Sequence, residues 1–193
     1  MIAKTLSFIT DLLNQELKLT FGIDEDKVVA SSLINPDGSI ASNIENKIVV
    51  SVINLEHETT RKHLSAYVKD GSQNFGKVAP PVQLNLYVLV SANYDSTNYL
   101  EANKMLSAVI GVFQAHPYFT KESNPSMQKP LEKLTFEIYN LPINELSHIW
   151  SGIGAKYVPS IIYKIRMLAI REDIIHKEVP GITGLGTGAK ANK

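Results

Sequence analysis

Pro80–Phe119, PPVQLNLYVLVSANYDSTNYLEANKMLSAVIGVFQAHPYF, is the stretch that decides the fold. Val82, Leu84, Leu86, Val88 and Val90 alternate along one side, and Tyr87 and Leu89 make the other side apolar as well. Successive side chains of a strand point to opposite faces. A strand that is apolar on both faces therefore belongs at the centre of a covered sheet. Asn98 followed by Glu101 predicts a capping box. Tyr99, Ala102, Leu106, Val109, Ile110 and Phe113 then trace the stripe of an amphipathic helix, which His116-Pro117 ends.

The same patterns extend outward in both directions. Leu134, Phe136 and Ile138 alternate with Thr135, Glu137 and Tyr139, which predicts a half-buried strand. Pro142 opens a helix with Leu146, Ile149, Trp150 and Ile153 on one face, and Gly152 and Gly154 end it. Pro159 leads into a strand over Ser160–Ile170. There Ile161, Tyr163, Ile165 and Met167 face one way, with Lys164 and Arg166 on the other side. Upstream, Ile2, Leu6, Ile9, Leu13 and Leu17 place a helix at the start, stopped by Gly22. A strand is expected within Lys27–Ile34, a Pro-Asp-Gly turn at Asn35–Gly38, and a strand over Lys47–Leu55 with Val49, Ser51, Ile53 and Leu55 on one side. Glu56–Lys77 is polar and lacks a clear period; it reads as a mobile loop or a β-hairpin arm. Ser123–Pro130 reads as a loop. From Val179 the sequence VPGITGLGTGAKANK has four glycines and no core pattern, and reads as a flexible tail. The expected fold is α/β, in the α+β sense: a mixed β-sheet packed by about three helices. It forms one domain over residues 1–178 with a flexible tail over 179–193.

Bulk composition narrows the function classes. A chain of 193 residues that is 44% hydrophobic can bury a core without metals or disulfides. Lys and Arg number 19, as do Asp and Glu, so the net charge is zero. Such a chain has no global electrostatic attraction to nucleic acid or an anionic membrane. Little charge repulsion opposes its self-association. There is no cysteine, which removes disulfide frameworks, thiolate metal sites and a cysteine nucleophile. Asp11 and Glu16 interrupt the apolar start, unlike a signal peptide. No apolar run approaches the roughly 18 residues of a membrane span.

Candidate chemistry is sparse. His57, His63, His116, His148 and His176 show no tight metal-ligand spacing. Ser151 and Ser160 lack the Gly-x-Ser-x-Gly setting of an activated nucleophile. Glu56 with Glu58, and Glu172 with Asp173, carry no sign of convergence in a cleft. Gly181, Gly184, Gly186 and Gly188 lack the following helix that a phosphate cradle requires. Lys164 and Arg166 read as a solvated face or a protein interface, and Trp150 as core. No catalytic, cofactor-binding or metal-ligating residue is assigned.

Three groups of residues carry a resemblance. The first is Leu84-Asn85-Leu86-Tyr87-Val88 with Ala92-Asn93-Tyr94. The second is Tyr99 to Phe113, then Pro117-Tyr118-Phe119. The third comprises Leu146, Trp150, Gly154, Tyr157, Pro159, Ser160, Tyr163, Lys164 and Arg166. Across roughly residues 1–175 the chain resembles the N-terminal domain of the tail terminator, or cap protein, of phage-tail-like contractile injection systems of the antifeeding-prophage type. The resemblance implies a non-enzymatic structural part: a hexameric ring at the end away from the baseplate. That ring would end the inner tube and hold the last sheath ring. It implies sheath and tube proteins and further copies of the chain as partners, with no cofactor, nucleic acid or membrane. It also implies assembly in the bacterial cytoplasm and release by lysis. The alternative is a small soluble α/β enzyme or binding module of a type the residues do not specify.

Overall fold

A computed structural model describes residues 1–58, 66–70, 74–78, 82–170 and 175–179, with side chains for 1–58 and 82–166. In chain order the elements are α1 (Ile2–Phe21), β1 (Val28–Ala30), β2 (Lys47–His57), β3 (Ala66–Asp70), β4 (Asn74–Val78), β5 (Val82–Asn93), α2 (Tyr99–Ala115), β6 (Tyr118–Thr120), β7 (Lys133–Ile138), α3 (Ile143–Ile153), β8 (Ser160–Ile170) and β9 (Ile175–Val179). They form two compact units: Met1–Glu58 with Gln83–Leu168, and Thr59–Val82 with Ala169–Lys193.

The first unit is a six-stranded sheet in the order β1-β2-β5-β8-β7-β6. β1 runs parallel to β2; β2 with β5, β7 with β8, and β6 with β7 are antiparallel. As the alternation of Val82–Val90 requires, β5 is central and covered on both faces. Leu86, Val88, Val90 and Ala92 join one core, and Leu89 joins the other.

The larger core lies under α1 and α2. Ile9, Leu13 and Leu17 of α1, and Ala102, Met105 and Val109 of α2, meet Ile48, Val50, Leu134 and Ile165 of the sheet. Aromatic rings fill its end. Phe113 stacks on Phe136 at 4.3 Å, and Phe119 meets Phe8 and Phe136 edge-on at 5.7 and 5.6 Å. Tyr163 closes on Phe113 at 4.8 Å. Burying each such side chain contributes about 1.5–3 kcal/mol. Gly22 ends α1 in the left-handed conformation, φ 65°, and donates its N–H to Lys18 O.

The smaller core lies on the opposite face, where Trp150 of α3 meets Val49, Leu89 and Ile162 beside Leu33, Ala41 and Ile44. Leu146, Ile149 and Ile153 pack at its margin, so the apolar face read from the sequence is the face α3 presents to the sheet. Gly154, φ 76°, caps this helix; Gly152 is inside it rather than at its end. The Trp150 ring meets Tyr157 edge-on at 5.5 Å, and its buried Nε1 has no hydrogen-bond partner among the described residues.

Several expectations are corrected. The strand expected within Lys27–Ile34 is only Val28–Ala30. The Asn14 side chain takes up its outer edge, accepting from Val28 N–H at 2.8 Å and donating to Val28 O at 2.9 Å. The Asn98 side chain caps nothing: it donates to Asn46 Oδ1 at 3.3 Å, so there is no capping box. β2 continues through Glu56 and His57, past the predicted end at Leu55. β6 was not expected, since three residues are too few to show a period.

The second unit holds a three-stranded sheet, β3-β4-β9. β3 and β4 are the hairpin alternative for the polar arm, paired from Ala66↔Val78 to Asp70↔Asn74. β9 adds antiparallel to β4 and ends at Val179. The tail over 180–193, with its glycines, lies outside the described residues, as does His63.

Trp150 gives a direct check of the smaller core. Trp150→Ala should cost about 3–5 kcal/mol and lower Tm by on the order of 10 °C. Trp150→Phe should restore most of that, because the indole N–H makes no bond that phenylalanine would forfeit. Thermal unfolding of the two variants beside the parent checks both; a Tm for Trp150→Ala within a degree of the parent would contradict the packing.

Candidate docking surface

β2 has two halves with different surroundings. The first is flanked by β1 as well as β5: Ile48 N–H donates to Lys27 O at 2.7 Å, and Ser31 N–H donates to Val50 O at 3.2 Å. The Ser51 hydroxyl closes this pairing with a 2.6 Å bond to Ser31 O. Beyond Ser51, β5 is the only strand beside β2 among the described residues, and none of them forms a strand on the outer edge from Val52 to His57. The Leu55 N–H is held by its own neighbour, Asn54 Oδ1, at 2.9 Å.

A bulge between Val52 and Asn54 sets which side chains face where. Before it, Ser51 pairs with Leu89; after it, Asn54 pairs with Tyr87 and Leu55 with Leu86. The extra residue therefore puts Leu55 on the same face as Leu86, opposite to Val49 and Ser51. This overturns the expectation that all four odd-numbered residues share a side. Val52 is 39% exposed and Leu55 45%.

Beside this edge, on the α3 face, lies a groove of about 670 Å³. Its walls are Ile53, Tyr87, Tyr139, Leu141, Ile149 and Ile153, with Glu56, Glu145 and His148 as its ionisable members. The Tyr87 and Tyr139 rings meet edge-on at 4.9 Å. The Tyr87 hydroxyl donates to Glu56 Oε2 at 2.6 Å, and Lys164 Nζ reaches the same oxygen at 3.2 Å. Lys164 Nζ also sits 5.2 Å from the centre of the Tyr87 ring. Three strands are thereby tied across the sheet at one carboxylate. The Tyr87 hydrogen bond, and then Lys164, hold the Glu56 carboxyl below the usual glutamate range. Among the described residues Glu145 makes no ion pair.

The candidate residues from the sequence distribute as follows. Lys164 and Arg166 share a face, as read, and each is bound to a carboxylate: Arg166 Nε lies 3.2 Å from Glu137 Oε2. Glu56 comes from the start of the segment read as a mobile loop or β-hairpin arm; it lies in β2 and is the centre of the network. His148 lines the groove, His116 follows the end of α2, and His57 ends β2. Ser151 is exposed on α3; Ser160 starts β8. Among the described residues no three of His, Asp and Glu gather as a metal site, and no helix is long and apolar enough to cross a membrane.

The mixed six-stranded sheet with three helices fits the expected α+β class. The chain belongs to the Pvc16 N-terminal domain family, which it matches over residues 5–183. Two solved structures share its fold. One is the sheath/tube terminator, in the extended state, of the extracellular contractile injection system PVC: TM-score 0.68 and 10% identity, over 100% of this chain and 64% of that one. The other is the tube-terminating cap of the anti-feeding prophage: TM-score 0.62 and 12% identity, over 95% of this chain and 61% of that one. The chain thus spans less than two thirds of the length of both. No curated protein matches the sequence.

The Glu56 network has a pH signature. A carboxyl whose folded-state pKa is depressed stabilises the fold above its unfolded pKa, and that contribution fades as pH falls through the folded value. Carbon-detected NMR titration should place Glu56 below glutamate in an unstructured peptide, and Tyr87→Phe should move it back up. An ordinary midpoint in the parent protein would dissolve the network.

Proposed function

We propose that this protein is a tube and sheath terminator of a contractile injection particle. The observation that carries this reading is the family match over residues 5–183, joined to a fold shared along the whole chain with a sheath/tube terminator. The role is structural, without catalysis. Copies of the chain form a hexameric ring at the end away from the baseplate, in contact with the last tube and sheath rings. Assembly takes place in the bacterial cytoplasm, and lysis releases the particle. The domain is read as residues 1–178, and the tail that follows β9 docks on a neighbour in the particle.

The physical logic is that of open-ended assembly. A tube or sheath built from heterologous contacts ends in a ring of unmet interfaces, and growth continues while identical subunits arrive. A protein that matches that ring on one side, and offers no copy of it on the other, stops growth. A chain with zero net charge pays little repulsion when copies gather in a ring.

Deleting the gene should give particles of uncontrolled length, or none that stay assembled. Length distributions from electron micrographs check this. A normal, narrow distribution with sheaths that still contract would rule out the terminator role.

A further inference from the structure

We propose that the open half of β2 and the adjoining groove take up an extended segment of a partner protein as an added strand. That segment carries apolar side chains at alternate positions and a lysine or arginine near one end. The inference deepens the assembly reading above, and rests on it for the partner's role, though not for its chemistry.

Three observations select this occupant. First, Val52–His57 has an unoccupied hydrogen-bonding edge among the described residues, and only an extended backbone can meet such an edge in register. The Leu55 N–H is held by an exposed asparagine side chain, a partner that an incoming carbonyl can replace. Second, the edge is poorly defended. Natural proteins blunt free edges with lysine, proline or bulges. Here there is the bulge but no lysine or proline, and Val52 and Leu55 stand exposed. Side chains of an added strand alternate in direction, so every second one would enter the groove against Ile53, Leu141, Ile149 and Ile153. Third, the charge of the groove is one-sided. Glu56 is already engaged by Tyr87 and Lys164, whereas Glu145 has no ion pair among the described residues. A cationic side chain on the incoming strand would complement it.

The test uses two fluorescein-labelled peptides, TVTITVK and TVTITVE, titrated into the whole protein and read by fluorescence polarisation. The lysine peptide should bind at least about tenfold more tightly than the glutamate peptide, and Glu145→Lys should reverse that order. Leu55→Pro should weaken both by at least about tenfold. Its N–H lies outside the β2–β5 ladder, so circular dichroism should show an intact fold. Amide exchange of the parent with the lysine peptide should slow at Leu55 and its neighbours. No saturable binding, or binding indifferent to Glu145→Lys and Leu55→Pro, overturns the proposal. So does concentration-dependent self-association abolished by Leu55→Pro, which would make a second copy the occupant. None of these outcomes bears on particle length, so this proposal and the terminator role fail separately.

Discussion

Burial of β5 on both faces is the constraint on which the rest of the structure depends. Leu86, Val88 and Val90 need cover on one side, and Leu89 on the other. A strand buried on both faces must have a neighbour on each edge and a layer over each face. β2 and β8 supply the edges; α1 and α2 cover one face; α3 and the residues around Leu33–Ile44 cover the other. The aromatic cluster of Phe113, Phe119, Phe136 and Tyr163 follows from that arrangement, because it fills the space where α2 hands over to β6.

The second cover is partial, and the candidate docking surface exists for that reason. α3 is an 11-residue helix, and Trp150 is its sole buried residue. It covers the first half of β2 well and leaves a groove over the second. β1, likewise, is three residues long, and among the described residues no strand continues along the outer edge of β2 past Ser51. Two short elements thus expose one edge and one groove at the same place. The Glu56–Tyr87–Lys164 network lies under that opening and ties β2, β5 and β8 together where neither covering element reaches.

Much of this was legible in the sequence because it rests on regular periods. The central strand, the amphipathic faces of α1, α2 and α3, and the alternation in β7 and β8 are all repeats of 2 or 3.6 residues that burial enforces. The turn at Asn35–Gly38 was legible because Gly38 needs φ 83°. What was hidden breaks a period or acts at long range. The bulge at Val52/Asn54 shifts the alternation by one residue, so Leu55 was placed on the wrong face and Glu56 outside the strand. Asn14 serves as a surrogate strand for Val28 from fourteen residues away, which local pattern does not reveal. Glu56 and Lys164 are 108 positions apart, and only the order of strands brings them together. Family membership, by contrast, was readable from scattered residues such as Tyr87, Trp150, Pro159 and Tyr163. Trp150, Tyr163 and Tyr87 are buried, and Pro159 leads into β8.

The central claim is that this domain closes the end of a tube and sheath. Cryo-electron microscopy of the ends of intact particles tests it most directly. The account predicts a ring of this chain at one end, in contact with the last tube and sheath subunits. It also predicts continuous density for a partner strand along Val52–His57. Particle ends that carry no ring of this chain would contradict it.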